Sequence, residues 1–499
     1  MSVDRYQFGA ESRRGPIGSL RAGQVVIGGS GVVWAVAVID LAPSGGGVVA
    51  ALLGLAGAAA AATLPVGGLT VEQWLPVTMG WVLARADSRV RQVRAAGGAD
   101  GVVVDLPAGG AASRTRVTKS AKPRPPRALA DVRLLGLPYR GREIGAVAER
   151  GGRRLTLVLV GRAPGFALAD QAEQQQRLGV WAEVLQSATR GAVRRIGWVE
   201  RTAPAQGDGL ARWLHEQRDP AVPLAGELGR SYLELLESSA QATREHEVLL
   251  ALQLDAASLR GGGRESAERA LISAGEQISR ALERARVQVQ AAPTPGGLAR
   301  ILRVAFDPYV HPQLAALRAG GGGDELSEAG AWPAGLREQW ACLQVDGAMH
   351  ATFEIGGWPR AEVGPAFLGS LLGPSDHVRA VSVVFEPLDP LRSLRQAEFE
   401  ITRDETDRQT RRRFGQMETA RQRHASDAAR WREAELAAGH AEVRLAGFVT
   451  VTGRDQDELD GACADVVTHA GRANLELRRL FGQQAEAFTF TLPLCRGLR

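Results

Sequence analysis

The sequence predicts an α+β protein in which an N-terminal two-helix transmembrane hairpin precedes two ferredoxin-like α/β lobes. Three observations support this prediction: two apolar stretches near the start, two segments in which strands and helices follow a similar order, and one long charged segment inserted in the second of them. The predicted units, in chain order, are a basic cytoplasmic N-terminus (1–22), the hairpin (23–68), a helix and linker (69–127), a first lobe (128–322) and a second lobe (323–499).

The predicted hairpin consists of two apolar stretches, 24–39 and 48–66, joined by a turn at 43–47 with the sequence PSGGG. Asp40 is the only charged residue between Gln24 and Glu72. A helix needs about 20 apolar residues to cross the hydrocarbon core, and both stretches approach that length when Gly and Ala are counted. The first expected partner of the chain is therefore a lipid bilayer.

Basic residues flank the hairpin on both sides, and its turn has none. Those before and after it are Arg5, Arg13, Arg14, Arg21, Arg85, Arg89, Arg91 and Arg94. Because basic flanks stay on the cytoplasmic side, we expect a multi-pass protein of the inner membrane with both termini in the cytoplasm.

Two other interpretations of the apolar stretches are open. Residues 12–14 (SRR) before an apolar run resemble a twin-arginine export signal, with Ala35–Ala37 as a cleavage site. A second apolar stretch directly behind the first argues against cleavage. The remaining alternative is an Ala-rich helical hairpin buried inside a soluble protein.

Small residues recur at every fourth position on both predicted spans, which favours close packing of the two helices. The predicted packing face consists of Gly31, Ala35, Ala50, Gly54, Ala58 and Ala62. In lipid, close backbone approach through small residues supplies much of the drive for helix pairing. The alternative is that the pattern reflects only the abundance of Ala and Gly in this chain.

A predicted helix over residues 69–84 places Trp74 and Trp81 on roughly one side. Tryptophan prefers the membrane–water interface, whereas Glu72 and Pro76 argue against a third span. The helix either lies on the membrane surface or opens the soluble part. Residues 95–127 follow as a Gly-, Ala-, Pro- and Arg-rich tether.

Both lobes are predicted from alternating and continuous apolar runs. In the first, a strand at 154–161, a helix capped by Asp170 and a strand at 194–201 are followed by a strand at 248–254, a helix over 265–286 and a short closing strand at 287–290. In the second, a strand at 342–355, a short helix at 363–372 and a strand at 381–385 precede the charged segment, and a strand at 443–451, a helix starting at Asp457 and a last strand at 475–480 follow it. The strand–helix–strand order, occurring twice in a lobe, is typical of the ferredoxin-like arrangement, and the likeness of the lobes favours an internal duplication. The break between them is placed at the glycines of 320–323.

A long charged segment, about 391–436, interrupts the second lobe and is predicted as one inserted helix. At 1.5 Å per residue a helix of about 45 residues would reach nearly 70 Å. It is either a solvated arm packed along one side or a docking arm or coiled-coil partner for another subunit. Within it, Arg411, Arg412 and Arg413 are candidates for docking an acidic partner or phosphate, with a solvated cluster as the alternative.

Composition and motifs give no sign of catalysis. Lys119 and Lys122 are the only lysines, and neither stands in the GxxxxGK[ST] pattern of a phosphate-binding loop. The eight histidines show no metal-ligand spacing, and the three cysteines form no CxxC pair. We therefore expect no enzyme activity, no cofactor and no metal. A net charge of +5 over 499 residues is weak support for nucleic-acid binding.

Three segments together resemble the N-terminal, non-motor part of conjugative type IV secretion ATPases. They are GGWPR at 356–360 with AFLGSLL at 366–372, GFVTVT at 447–452 before a helix, and the run from Gln484 to Arg496 containing TLPL. The N-terminal hairpin is similar to the small two-span membrane subunit fused to some of these ATPases. Actinobacterial conjugative elements have membrane proteins of this layout, encoded apart from their ATPase.

The resemblance implies a non-catalytic, membrane-anchored scaffold in a conjugation or secretion machine, which docks a separate P-loop ATPase at the cytoplasmic face. Other secretion subunits, and a second copy of the chain, are further expected partners. The alternative function is a membrane-tethered nucleic-acid-binding protein that uses its arginine-rich surfaces, for which a steep salt dependence of binding would be diagnostic.

Overall fold

The computed structural model describes residues 22–64, 67–68, 70–86, 125–162, 166, 169–204, 226–227, 230–231, 244–259, 263–311, 313–314, 326–359, 361–373, 375–413 and 420–498. These residues fall into two compact units. A helical unit holds the helices of residues 22–86. A sheet unit holds every described strand together with the remaining helices.

The helical unit contains α1 (Ala22–Leu41), α2 (Gly45–Thr63) and α3 (Val71–Ala86). The first two match the predicted spans closely, but the connection is shorter than predicted. Helix α2 begins at Gly45 because the Ser44 hydroxyl accepts a hydrogen bond from the Gly47 amide and caps the first turn. The predicted turn glycines are thus the first residues of a helix.

The sheet unit is built on twelve strands that form a single sheet. They are β1 (Arg133–Tyr139), β2 (Arg142–Glu149), β3 (Arg154–Arg162), β4 (Val193–Pro204), β5 (Arg244–Asp255), β6 (Gln288–Val289), β7 (Leu336–Glu338), β8 (Leu343–Val345), β9 (Ala348–Gly357), β10 (Val378–Pro387), β11 (Val443–Gly453) and β12 (Glu476–Arg479). The α-helices of this unit whose bounds lie within the described residues are α4 (Gln171–Arg190), α5 (Arg264–Arg284), α6 (Pro295–Phe306), α7 (Gly369–Leu372), α8 (Pro390–Arg413), α9 (Ala420–Ala437), α10 (Gln456–Arg472) and α11 (Gln484–Phe488).

The first half of the sheet has the spatial order β6-β3-β5-β4, and every neighbouring pair is antiparallel. Helix α4 follows β3, and helix α5 follows β5. The predicted cap is confirmed, since the Asp170 carboxylate accepts a hydrogen bond from the Glu173 amide at 2.8 Å. When its four strands are numbered in chain order, this half reads 4-1-3-2.

The second half repeats that order as β12-β9-β11-β10, again with every neighbouring pair antiparallel. Helix α10 follows β11, as helix α5 follows β5 in the first half. A hairpin adds to the outer side of the first strand in each half: β1–β2 joins β3, and β7–β8 joins β9.

Strands β4 and β10 pair antiparallel over six residues, from Arg201 with Ala380 to Ile196 with Phe385, and this pairing makes one sheet of both halves. We call it the seam. The predicted lobes are therefore parts of one compact unit that shares its sheet. The predicted break at 320–323 lies outside the described residues.

Both faces of the sheet are covered. On β5, Leu250, Leu252 and Leu254 pack with α4 and α5 on one face, whereas Leu249 packs with α6 on the other. Helix α10 covers the second half through a cluster that includes Leu459 and Val466. Alternation of apolar residues along β5 follows from the period of two of a strand.

The charged segment is not one long helix. It forms α8 and α9, which pack against each other, as a continuous straight helix could not do. Sequence reasoning missed this because mixed charges support any exposed helix and give no sign of where the chain turns back. We call α8 and α9 together the helical arm.

Candidate functional site

The two apolar helices approach each other through small residues. A Cβ atom placed on Gly31 would lie 2.4 Å from the Ala58 Cβ, and one placed on Gly54 would lie 1.7 Å from the Trp34 ring. Only glycine fits at either position. Of the predicted packing face, Ala62 is buried, Ala35 and Ala50 are half-buried, and the neighbouring Ala51 is buried as well.

The outer surfaces of α1 and α2 are apolar and exposed. Val33 and Leu53 have exposed fractions of 70% and 69%. Each helix offers 19 residues with a mean hydropathy of 1.8, and only 11% and 17% of those windows are buried. A helix pair in the core of a soluble protein would be largely buried, so these features support a membrane location.

Enlarging Gly31 is expected to disrupt the hairpin. We expect Gly31→Leu to destabilise it by about 1–3 kcal/mol, because the new side chain would overlap Ala58. The control is Gly29→Leu, since nothing lies within 4 Å of a Cβ at Gly29. The measurement is the temperature at which full-length protein in detergent loses its monodisperse peak. Equal midpoints for both variants would contradict the packing role of Gly31.

Helix α3 carries both tryptophans predicted to be interfacial. Trp74 and Trp81 are half-buried, and Pro76 lies inside the helix, where it removes one backbone hydrogen bond. Around these positions Leu75, Met79 and Val82 are exposed. A helix with exposed apolar side chains beside half-buried tryptophans has the composition expected at a membrane surface.

At one end of the seam, Glu386 accepts hydrogen bonds from three arginines of both sheet halves. The Glu386 carboxylate lies 3.3 Å from Arg194 Nε, 3.0 Å from Arg195 Nη2 and 3.1 Å from Arg444 Nη2. Burial alone raises the pKa of Glu386, but the arginines, Arg195 first, outweigh burial and hold that pKa below its usual value. Glu386 is therefore charged at neutral pH.

A β-bulge explains how two consecutive arginines reach one carboxylate. In β4 the pairing with β5 shifts between Val193 and Arg195, so Arg194 is the extra residue. In a regular strand Arg194 and Arg195 would point to opposite faces, whereas a bulge redirects one side chain. Nothing in the sequence pattern predicted this cluster, although the Arg–Arg pair at the start of a strand was visible.

A C-terminal segment, residues 484–498, runs from the second half of the sheet to the first, on the face that α6 covers. The Gln484 side-chain amide accepts from Thr352 N at 2.8 Å and donates to Thr352 O at 3.3 Å, so it pairs with β9 as a strand would. Farther along, Leu494 O accepts from Gln253 Nε2, and Arg496 Nε donates to Glu149 at 2.7 Å. The segment thus fastens the two halves together.

His350 lies fully buried under this segment. Its Nε2–H donates to Phe306 O at 2.8 Å, and its Nδ1 accepts from the Thr452 hydroxyl at 2.9 Å. Burial lowers the pKa of His350 to about 4, although the bond to Phe306 O acts in the opposite direction. His350 is therefore a neutral, structural histidine at physiological pH.

The described part of the chain contains no group of histidine, cysteine and carboxylate side chains that could hold a metal ion, and its cysteines are buried. Cys342, Cys463 and Cys495 are unpaired and buried, and burial raises the pKa of each thiol. Of the predicted docking arginines, Arg411, Arg412 and Arg413 lie in the last turn of α8, and their side chains are outside the described residues.

A comparison with protein families gives one match. The family model described as "Putative type VII ESX secretion system translocon, EccE" matches residues 242–355. The matched segment contains β5, α5, α6 and the hairpin β7–β8, so it runs from the first half of the sheet into the second. No curated protein shows significant similarity to the chain.

The match supports a membrane-associated component of a secretion system, which agrees with the broader part of the sequence prediction. It gives no support to a relationship with type IV secretion ATPases, to docking of an ATPase, or to nucleic-acid binding. The motifs that resemble the type IV ATPases, at 356–372, 447–452 and 484–496, all lie beyond the matched segment.

Proposed function

We propose that this protein is a non-catalytic, membrane-anchored subunit of a secretion translocon of the type VII kind. The observation that carries the proposal is the presence, in one chain, of a sheet segment matching a translocon family and two exposed apolar helices. The arginines flanking the hairpin favour cytoplasmic placement of both termini. In this proposal α3 lies on the bilayer surface.

We further propose that the two halves of the sheet are ferredoxin-like and arose by duplication. The shared strand order 4-1-3-2, the equivalent helices α5 and α10 and the hairpin added to each half support this. Fold alone implies no activity. The functional argument therefore rests on the family match and the helices.

Membrane anchoring is tested by extraction of the full chain with alkaline carbonate. We expect the intact protein to stay in the membrane pellet, because two apolar helices resist extraction of this kind. A variant lacking residues 22–64 is expected to move into the aqueous fraction or to be held only loosely by α3. Complete release of the intact chain by carbonate would refute anchoring by the hairpin.

The helical arm is the proposed docking element for a motor ATPase or another secretion subunit. Among its described side chains, the large apolar ones that are exposed are Leu391 (67%), Phe399 (67%) and Trp431 (62%). Aromatic anchors of this kind contribute most of the binding energy at protein interfaces. Substitutions that test docking should therefore be made in the helical arm and not in the sheet.

Docking is tested with the double variant Phe399→Ser and Trp431→Ser in the full chain. We expect recovery of a co-expressed P-loop ATPase of the same secretion system to fall at least tenfold, since each lost anchor removes about 2 kcal/mol. The control is Val467→Ser, which changes an exposed apolar side chain on α10. Unchanged ATPase recovery with the arm variant would rule out docking through these residues.

A further inference from the structure

A row of arginines lies along one end of the sheet and crosses the seam. It consists of Arg150 and Arg153 from the turn between β2 and β3, Arg154 at the start of β3, Arg194 and Arg195 from β4, and Arg444 from β11. The register places these positions at the same ends of their strands: Arg154 pairs with Asp255, and Arg444 pairs with Glu386. Strands lie about 4.8 Å apart, so the row from β2 to β11 is roughly 24 Å long.

Two members of the arginine row form no ion pair with any residue that the structure describes. Asp255 forms ion pairs with Arg153 and Arg194. Glu386 forms ion pairs with Arg194, Arg195 and Arg444. The side chains of Arg150 and Arg154 make no hydrogen bond or ion pair with the residues that the structure describes. Burial lowers the pKa of the half-buried Arg154, and the positive charges of Arg150 and Arg195 lower it further, whereas the negative charge of Glu149 acts in the opposite direction.

The turn that carries Arg150 is strained. Arg150 has a φ of 51°, and Gly151 and Gly152 follow with φ values of 68° and 88°. An L-residue in this left-handed region costs about 1–2 kcal/mol relative to glycine. Strain of this kind persists where the surrounding structure maintains it, and it is concentrated at binding sites and switch regions. Two irregular backbone features, this turn and the bulge at Arg194, therefore lie within the arginine row.

We propose that the arginine row binds a short acidic peptide segment of a partner protein. An extended peptide of about seven residues spans 24 Å, and guanidinium groups pair well with carboxylates in a bidentate manner. The strands of the row contribute no exposed aromatic side chain among the described residues, so the row lacks the stacking platform typical of single-stranded nucleic-acid sites. This inference does not depend on the proposed function.

The probe for this proposal is fluorescein-labelled octaglutamate, with binding to the full chain in neutral detergent followed by fluorescence anisotropy at low salt. We expect Arg150→Gln with Arg154→Gln to weaken binding about tenfold, a loss typical of removing two charge contacts. The control is Arg337→Gln with Arg472→Gln, which removes the same net charge at two exposed arginines of β7 and α10. We expect the control to change binding less than twofold.

A second variant separates binding from folding. Arg150→Gly relieves the strained turn, so we expect its thermal midpoint to rise while octaglutamate binding weakens. A loss of binding by unfolding would move the midpoint the other way. The proposal is overturned if the intact chain does not bind octaglutamate, if the control weakens binding as much as the Arg150 and Arg154 variants, or if a labelled eight-nucleotide thymidine strand binds more tightly through the same two arginines.

Discussion

Replacing Glu386 with Gln is expected to lower the free energy of unfolding of the sheet unit by about 3 kcal/mol. The Glu386 side chain is only 9% exposed, and the same is true of Arg195. Removing one charge of a buried pair leaves the other without compensation, which typically costs about 3–5 kcal/mol. We expect the lower end of this range because the side chains of Arg194 and Arg444 are 44% and 49% exposed, so water can hydrate them once the carboxylate is removed.

The measurement is denaturant unfolding of the full chain in detergent, followed by tryptophan fluorescence. The matched control is Glu268→Gln, which breaks the ion pair between Glu268 and Arg264. Because the Arg264 side chain is 68% exposed, we expect this variant to change the free energy of unfolding by less than about 1 kcal/mol. If Glu386→Gln were as stable as Glu268→Gln, the carboxylate would not be what holds the two halves of the sheet at this point.

Acidification is expected to weaken the sheet unit through His350. Its pKa is about 4 in the folded protein against 6.5 for the free side chain. The unfolded state therefore binds a proton first as the pH falls. The contribution of His350 to stability is complete above pH 6.5 and is lost progressively toward pH 4. Over that window the loss is about 3 kcal/mol.

The His350 contribution is isolated by comparing variants, because buried carboxylates also titrate on acidification. Burial raises the pKa values of Asp307 and Glu338, for example. The unfolding free energy of His350→Gln is expected to fall less steeply between pH 6.5 and 4 than that of the natural chain. His440→Gln, which alters a 69% exposed histidine, should keep the full slope. Identical slopes for the natural chain and His350→Gln would refute the assignment.

Local sequence pattern was sufficient to predict most of the helices and strands. Period-two alternation located β5 and β11, a cap residue located the start of α4, and uninterrupted apolar composition located α1 and α2. Each of these signals concerns neighbours within a few residues, where the side-chain period of a strand or helix is decisive. The helical arm was the main error, since an exposed charged helix carries no apolar signal at its turn.

Local sequence pattern could not predict how the residues of the candidate sites are arranged. Glu386 accepts hydrogen bonds from three arginines on two distant strands, β4 and β11, and the closest in sequence, Arg444, is 58 residues away. The bulge that directs Arg194 appears only when β4 and β5 are aligned. The resemblance to type IV ATPases likewise depended on short motifs, and the family match lies in a segment that those motifs do not include.

By itself the sequence determined that this chain has two apolar helices at its start, an α+β remainder and no GxxxxGK[ST] motif, because composition and short-range periodicity are properties of the residues alone. Only the tertiary structure decided that both halves share one sheet, that the Gln484 side chain hydrogen-bonds to the backbone of Thr352, and that arginines from distant strands form one row. These depend on pairing between segments more than a hundred residues apart, where hydrogen bonding is set by register and not by local preference.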